Sequence, residues 1–187
     1  MLTHDNNDKV IYQNIGQLFA RIPANTTERM QFTVAALKLE TSVFDISLIH
    51  NQFALILWKE KNYPESRYHF LRSPATSGDE CARMLIEYQV SCGSNTETDL
   101  FIAQFILQLL CLRTSFRMTS ESIQNNNSDV EKLLSLDNVQ VQSLQHAYAS
   151  KALQSFTTRH PRIRQNRPPY AQPLLNFLWL LLIAIDG

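Results

Sequence analysis

The sequence predicts an all-α protein, an α-solenoid of tetratricopeptide-like helical hairpins, and three observations support this fold class. Only four of the 187 residues are glycine and 44% are apolar, a composition that suits a chain made mostly of helices. Apolar residues recur at steps of three and four along most of the chain, which is typical of amphipathic helices. The first, third and fifth predicted helices begin near residues 8, 45 and 79. The spacing between these starts is close to the repeat length of helix-turn-helix solenoids.

Two amphipathic helices are predicted before residue 42. The first covers residues 8–22 and ends at Pro23, because proline cannot continue a helix. The second covers residues 27–41, with Thr26 or Thr27 as its N-cap. The side chains expected to face the core from these two helices are Val10, Ile11, Ile15, Leu18, Phe19, Ile22, Met30, Val34 and Leu37.

The third and fourth helices have clear start signals. Asp45 is the predicted N-cap of a helix that ends near Glu60. Pro64 lies in the first turn of a short helix that stops at Ser73, since the first turn is where a helix tolerates proline. The expected core residues of the third helix are Leu48, Ile49, Phe53, Ile56 and Leu57.

A fifth helix begins at Ser77-Gly78, and Gly93 is expected to end it in the left-handed conformation. Thr96 and Asp99 resemble a capping box for the sixth helix, with Asp in place of the usual Glu or Gln. The residues expected to point inward from these two helices are Cys81, Met84, Leu85, Tyr88, Phe101, Phe105, Leu109 and Leu112.

Three regions follow from these elements. Residues 1–113 form a helical-hairpin solenoid, and residues 114–140 are a polar, Asn/Ser-rich insert that we expect to be disordered or loosely helical. Residues 141–187 contain the C-terminal helices of the same solenoid. In that part, a helix over residues 141–159 places Leu144, Tyr148, Ala152 and Phe156 on one face, and Pro173 begins the last helix.

Cysteine usage and hydropathy indicate a cytosolic protein. Cys81, Cys92 and Cys111 are odd in number and lie in apolar stretches, so we expect reduced core thiols. No signal-peptide core follows Met1. The apolar run at residues 177–185 is about half the length of a membrane-spanning helix, which favours a buried helix. Because the chain stops directly after it, we expect the sequence to be part of a longer protein.

The sequence predicts no catalytic, metal or cofactor site, and therefore no enzyme. The glycines are too far apart for a dinucleotide fingerprint, a phosphate loop or a nucleophile elbow. No two of the five histidines are three to five residues apart, and no cysteine completes a zinc knuckle. His69 is expected to be a packed or partly exposed helix residue.

Basic residues are concentrated near the C-terminal end. The chain has 17 basic and 17 acidic residues, but residues 138–187 contain five basic residues and one acidic residue. Three interpretations of the four arginines in this part remain open: a solvated loop, a surface for an acidic partner, or a nucleic-acid contact. Base stacking has little support, because no aromatic residue lies among these arginines except Tyr170 at the edge. The candidate partner-binding residues are Arg159, Arg162, Arg164, Arg167, Tyr170, Leu174, Phe177 and Trp179.

Four blocks of sequence carry a resemblance to a known family. The string ALILWKEKNYPESRYHFL at residues 54–71 has tetratricopeptide-like spacing, and further matches lie at residues 81–88, 99–112 and 168–179. In this order they resemble the Golgi-to-ER traffic protein four family. That family is the cytosolic scaffold of the guided-entry pathway for tail-anchored membrane proteins, known in animals as a subunit of the transmembrane-domain recognition complex.

The resemblance implies an α-solenoid without catalytic activity. Family members bind a ubiquitin-like-domain adaptor through the C-terminal part of the solenoid and, in fungi, the targeting ATPase through the N-terminal part. In animals they also associate with a large BAG-family chaperone. The chain resembles the middle of the family's length, and its Asn-rich insert and arginine-rich connector depart from the usual pattern.

We therefore expect a cytosolic scaffold for post-translational targeting of tail-anchored proteins to the endoplasmic reticulum. Residues 138–187 are expected to contact a partner protein, with no nucleic-acid binding and no direct membrane insertion. The alternative is another helical-repeat adaptor, a subunit of a trafficking or proteasome-related complex, because such an adaptor is built from the same kind of helical hairpin.

Overall fold

The computed structural model describes residues 2–38, 45–112, 127–163 and 165–186, and these contain eight α-helices and no strands. The all-α fold class is confirmed. Short 3-10 turns precede the fifth and sixth helices. The helices are α1 (Leu2–Arg21), α2 (Thr27–Leu37), α3 (Ile46–Lys59), α4 (Tyr63–Phe70), α5 (Gly78–Cys92), α6 (Thr98–Cys111), α7 (Asn127–Arg159) and α8 (Pro173–Asp186).

Helices pack mainly on the next helix or on the next but one along the chain. The principal contacts join α1 to α3, α3 to α4, α5 to α7, α6 to α7 and α6 to α8. This pattern is compatible with stacked hairpins, as the α-solenoid prediction requires. Helix α1 begins at Leu2 rather than near residue 8, so the odd-numbered helices start at less regular intervals than expected.

Helices α3 and α4 form as predicted. The Asp45 carboxylate accepts a hydrogen bond from the Ser47 backbone N–H at 2.9 Å, which satisfies one of the free donors of the first turn of α3. Helix α4 begins at Tyr63 and has Pro64 in its first turn. Ile49, Phe53 and other predicted side chains of α3 are buried.

Helix α1 buries only part of the expected set of side chains: Phe19 and Ile15 belong to the core as predicted, whereas Val10, Ile11 and Leu18 are exposed. Tyr12 and Phe19 are buried, while Leu18 is half exposed. The Tyr12 hydroxyl accepts the Asp45 backbone N–H at 2.8 Å, and the Phe19 ring stacks on Phe53 with 4.3 Å between centroids. These two contacts with the start and middle of α3 determine which side of α1 points inward.

Helix α2 also differs from the expectation, which placed Met30 and Val34 in the core. Met30 is 63% exposed and Val34 46% exposed, whereas Arg29 is buried. The Arg29 guanidinium lies 3.9 Å from the centroid of the Phe19 ring and donates to Glu60 Oε1 at 2.8 Å. Because this paired arginine occupies the inner side of α2, the apolar pair lines a surface groove.

The capping box before the sixth helix lies two residues earlier than expected. Ser94 and Glu97, rather than Thr96 and Asp99, form it: the Ser94 Oγ accepts the Thr96 backbone N–H and Glu97 accepts the Ser94 N–H. The Asp99 carboxylate has a different partner, the backbone N–H of Leu174 at 3.2 Å.

Gly93 ends α5 in an extended conformation, with φ −92° and ψ 153°, so the expected left-handed conformation is wrong. The reason for glycine here is space. A Cβ at this position would lie 2.8 Å from the Gln89 carbonyl oxygen and 2.9 Å from the Phe101 ring. Glycine therefore allows α6 to approach the end of α5.

Helix α7 closes the larger core. It begins at Asn127 rather than near residue 141, so part of the expected insert is helical and residues 113–126 lie outside the described part. Tyr148 and Phe156 are buried as predicted, but Leu144 is exposed. The Tyr148 hydroxyl donates to the Phe70 carbonyl at 2.8 Å, which joins α7 to the end of α4.

The expectation of three core thiols is correct only for Cys81. Cys81 is buried, while Cys92 and Cys111 are exposed at the ends of α5 and α6. Burial raises the pKa of the Cys81 thiol well above its usual value, so Cys81 is an unreactive core residue.

Replacing Gly93 with alanine should destabilise the fold by about 1–3 kcal/mol, because the new methyl group overlaps a backbone oxygen. Gly16→Ala is the matched control. Its Cβ would lie 3.3 Å from atoms of the flexible Gln52 side chain, and alanine favours a helix interior by about 1 kcal/mol. Urea denaturation of both variants measures the difference; equal stability of the two would contradict the spatial role of Gly93.

Candidate partner-binding surface

One face of helix α8 completes the core. Leu175, Leu178 and Leu182 are buried against helices α6 and α7. The Asp99 carboxylate accepts the Leu174 backbone N–H, so it satisfies a free donor of the first turn of α8. Leu174 itself is partly buried against the core. These contacts position α8 on the end of the helical stack.

The opposite face of α8 is apolar and exposed, so the expectation of a buried helix is correct for one face only. Phe177, Leu180 and Ile183 follow one another at three-residue steps and are each about half exposed. Trp179 and Ile185 flank them and are exposed as well. Contiguous exposed apolar patches mark interaction sites. None of the helices within the described ranges has the length and hydropathy needed to cross a bilayer.

The segment between the end of α7 at Arg159 and the start of α8 at Pro173, which we call the connector, is held by a reciprocal pair of hydrogen bonds. The Tyr170 backbone N–H donates to Asn176 Oδ1 at 2.7 Å, and Asn176 Nδ2 donates to the Tyr170 carbonyl at 2.7 Å. The Tyr170 side chain is buried. Tyr170, a predicted partner contact, therefore fixes the connector against α8.

A cleft of about 320 Å³ lies between α7, the connector and α8. Its walls include Leu153, Pro168, Tyr170, Trp179 and Ile183. The cleft is at the small end of the size range of ligand pockets. Because Trp179 and Ile183 belong to both the cleft and the exposed face of α8, the two features form one surface, which we call the α8 surface.

The four predicted arginines do not form a single set. Arg159 forms an ion pair with Asp79 at 2.9 Å, so it has a partner within the chain. Arg162 is exposed, with its guanidinium 3.4 Å from Gln89 Oε1. Arg167 is exposed and has no ion pair among the described residues. Arg164 lies outside the described residues.

His160 orients the start of the connector. It is buried, its Nε2 lies 3.0 Å from Gln89 Oε1, and its Nδ1 accepts the Arg162 backbone N–H at 3.2 Å. Burial, followed by the nearby Arg162 charge, lowers the pKa of His160 to about 4. The imidazole is therefore neutral at pH 7 and donates from Nε2 to the Gln89 amide oxygen.

Three residues on the α8 surface have the connectivity of a hydrolase triad without its chemistry. Ser150 Oγ lies 3.5 Å from His146 Nε2, and His146 Nδ1 lies 3.7 Å from Asp186. However, Nε2 is 3.0 Å from the Leu182 carbonyl oxygen, to which it must donate its proton. It therefore cannot accept the Ser150 proton, as a general base must.

A histidine pair is buried between α3 and α4, and sequence reasoning missed it. The Nδ1 atoms of His50 and His69 are 2.8 Å apart, although the residues are 19 positions apart in sequence. Burial is the main cause that lowers the pKa of His50 to about 4 and of His69 to about 3. Both rings are neutral at pH 7, and one Nδ1 donates to the other. The described residues hold no group of three or more His, Cys, Asp or Glu that suits a metal ion.

Comparison with known proteins extends over nearly the whole chain. The family model of Golgi to ER traffic protein 4 matches residues 3–187. The Golgi to ER traffic protein 4 homolog of Oryzias latipes is 40% identical over 180 residues, which cover 95% of this chain and 45% of the relative. The Homo sapiens homolog and Xenopus laevis homolog B are each 37% identical with the same coverage. The chain thus spans about half the length of the curated relatives that it matches.

Acidification should destabilise the protein between pH 6.5 and about 4. In this window the unfolded chain binds protons at His50, His69 and His160 that the native state does not bind, so stability present at pH 7 is lost as pH falls. Each histidine contributes a slope of up to about 1.4 kcal/mol per pH unit. In His160→Asn, the amide oxygen can still accept the Arg162 N–H, and the slope should decrease by one such contribution. Urea denaturation across this pH range measures the free energy of unfolding and its slope with pH. An unchanged slope in His160→Asn would contradict the conclusion that native His160 is neutral.

Proposed function

Because this chain belongs to the Golgi to ER traffic protein 4 family, we propose that it is a non-catalytic cytosolic scaffold in targeting tail-anchored membrane proteins to the endoplasmic reticulum. The relatives that it matches are named Golgi to ER traffic protein 4 homologs. The observation that carries the proposal is the exposed apolar face of α8 on an otherwise packed helical end. In this proposal, that face receives a protein partner.

The partner at the α8 surface is the ubiquitin-like-domain adaptor. Leu180 and Ile183 present apolar area, and the neighbouring cleft receives an anchoring side chain of the adaptor. Full burial of one large apolar side chain contributes about 1.5–3 kcal/mol, so a few such contacts supply a specific interaction. The exposed Arg167, between the cleft residues Asn166 and Pro168, attracts acidic groups and increases the association rate.

The BAG-family chaperone and the targeting ATPase are the other partners in this proposal. A helical stack offers extended surfaces, and a scaffold that binds several proteins at once raises their effective concentration near one another. Catalysis is not part of the proposal, since His146 faces the Leu182 carbonyl and cannot serve Ser150 as a base.

Leu180→Asp should weaken binding of the adaptor by at least about tenfold, because it places a charge in the centre of the apolar face. Leu100→Asp is the control: Leu180 is 57% exposed and Leu100 is 49% exposed, but Leu100 lies on α6. Fluorescence anisotropy with labelled adaptor measures both affinities. Removing residues 138–187 is a poorer experiment, because Tyr148 and Phe156 belong to the core. Equal affinity of the two variants would contradict docking on α8.

Arg167→Glu should reduce the association rate of the adaptor and its dependence on salt, because it reverses an exposed charge at the edge of the α8 surface. Stopped-flow mixing at low and high salt measures the rate. If Arg167 belongs only to a solvated loop that contacts no partner, Arg167→Glu and the unchanged chain should have the same association rate and the same salt dependence.

A further inference from the structure

A single arginine with only neutral partners bridges helices α4 and α6. Helix α5 packs on both of these helices, whereas contact between α4 and α6 is not among the principal ones. Arg67 on α4 crosses this gap: one terminal nitrogen of its guanidinium donates to Gln104 Oε1 at 2.5 Å, and the other donates to Gln108 Oε1 at 2.6 Å. Because Gln104 and Gln108 are one turn apart on α6, they hold the guanidinium in one orientation.

The positive charge of Arg67 is not neutralised within the described part of the chain, where none of the ion pairs includes it. Glu65, two positions earlier on α4, faces another side of the helix and accepts a hydrogen bond from Asn62 at 2.9 Å. Partial burial is the main cause that lowers the pKa of Arg67, although the guanidinium stays charged at pH 7. The charge has therefore lost part of its water and has gained no carboxylate in return.

The bridge keeps hydrogen-bond donors that solvent can reach. Arg67 carries five N–H groups, and the two glutamines accept one from each terminal nitrogen. The Arg67 Nε has no acceptor in the described ranges and is not among their unpaired side-chain atoms that are closed to solvent. Gln104 and Gln108 are exposed, and since their oxygens face Arg67, their amide N–H groups remain available. An approaching group thus meets donors from three side chains, which suits a negatively charged acceptor.

A carboxylate matches these donors better than a phosphate group does. One guanidinium supplies one positive charge, and its planar fork fits the two oxygens of a carboxylate. The two glutamine amides add donors but no charge. A phosphate monoester carries about −1.5 to −2 charges at pH 7, more than Arg67 alone balances. The charge of the site therefore favours an aspartate or glutamate side chain of another protein.

Apolar side chains continue the site along α6. Leu100 and Leu107 are 49% and 38% exposed. They lie about one turn before and one turn after Gln104, so all three share the solvent side of the helix. Arginines with apolar neighbours are common centres of protein–protein interfaces, and ridges at this spacing fit the grooves of another helix. A helix that lies along α6 can thus place an acidic residue at Arg67 and an apolar residue one turn away on each side.

We propose that the exposed side of α6, together with Arg67, binds a partner helix that carries a glutamate between two apolar residues, each one turn away from it. The glutamate accepts hydrogen bonds from Arg67 and from a glutamine amide, and the two apolar residues pack on Leu100 and Leu107. We call this surface the α6 site. It does not depend on docking of the adaptor at the α8 surface, which uses other side chains.

The probe is a synthetic helix of roughly 20 Ala, Gln and Leu residues with one central Glu and a Leu one turn away on each side. A matched peptide has Gln in place of that Glu. Adding the Glu peptide to the full chain should shift the Hε resonance of Arg67 and the side-chain amide resonances of Gln104 and Gln108 in NMR spectra. The Glu peptide should bind roughly three- to tenfold more tightly than the Gln peptide, and added salt should reduce this difference.

Gln104→Glu separates ligand binding from a purely structural bridge. The introduced carboxylate pairs with Arg67 within the chain, so the contact between α4 and α6 is kept while the charge is no longer open to a ligand. Affinity for the Glu peptide should fall to that of the Gln peptide. Gln17→Glu is the matched control, because it adds the same charge at an exposed position on α1. Gln17→Glu and Leu180→Asp should both bind the Glu peptide like the unchanged chain.

Three results would overturn the α6 site. The first is that none of the Arg67, Gln104 and Gln108 resonances shifts at about 1 mM Glu peptide. The second is equal affinity of the Glu and Gln peptides, or equal affinity of Gln104→Glu and Gln17→Glu for the Glu peptide. The third is loss of peptide binding in Leu180→Asp, which would assign the peptide to the α8 surface instead.

Discussion

Where Gly78 at the start of α5 meets Ala152 of α7, the two helices approach so closely that only small residues fit, and the C-terminal part of the protein depends on this contact. A Cβ on Gly78 would lie 3.1 Å from the Lys151 side chain and 3.3 Å from the Ala152 backbone nitrogen. Ala152 is completely buried. Since interiors are close-packed, larger residues here would move α7 outward. The inner leucines of α8 would then lose the surface on which they pack.

Polar contacts along α7 fix its position relative to α5. Lys151 donates to the Thr76 carbonyl just before α5 begins, and His160 reaches Gln89 near its end. Between them, the hydrogen bond from Ser155 and then the Arg159 charge lower the pKa of Asp79. Asp79 lies in the first turn of α5, where a negative charge is favourable. These contacts place the connector and α8 at the end of the stack, with the apolar face of α8 turned to solvent.

Periodicity was sufficient to predict the helices but not every buried face. Asp45 and the apolar steps of α3 are local signals, and they correctly predicted that helix. The inner face of α2 depends on Arg29, whose burial requires both Phe19 and Glu60 from other helices, so an apolar pattern alone selected the wrong side. The sequence indicates Gly93 as a helix terminator. The reason that no side chain fits at this position is the Phe101 ring on the next helix, and spacing along the chain does not show that contact. The His50–His69 contact and the exposure of α8 likewise result from tertiary packing, which spacing along the chain does not show.

Amide hydrogen exchange of the full chain, with and without the ubiquitin-like-domain adaptor, is the most direct test of the proposed scaffold. Residues that become buried at an interface exchange more slowly when their local opening is suppressed. The proposed docking predicts slower exchange in α8 and in residues 165–172 on adding the adaptor, with little change in α1 to α4. Slower exchange elsewhere in the chain with α8 unaffected would contradict it.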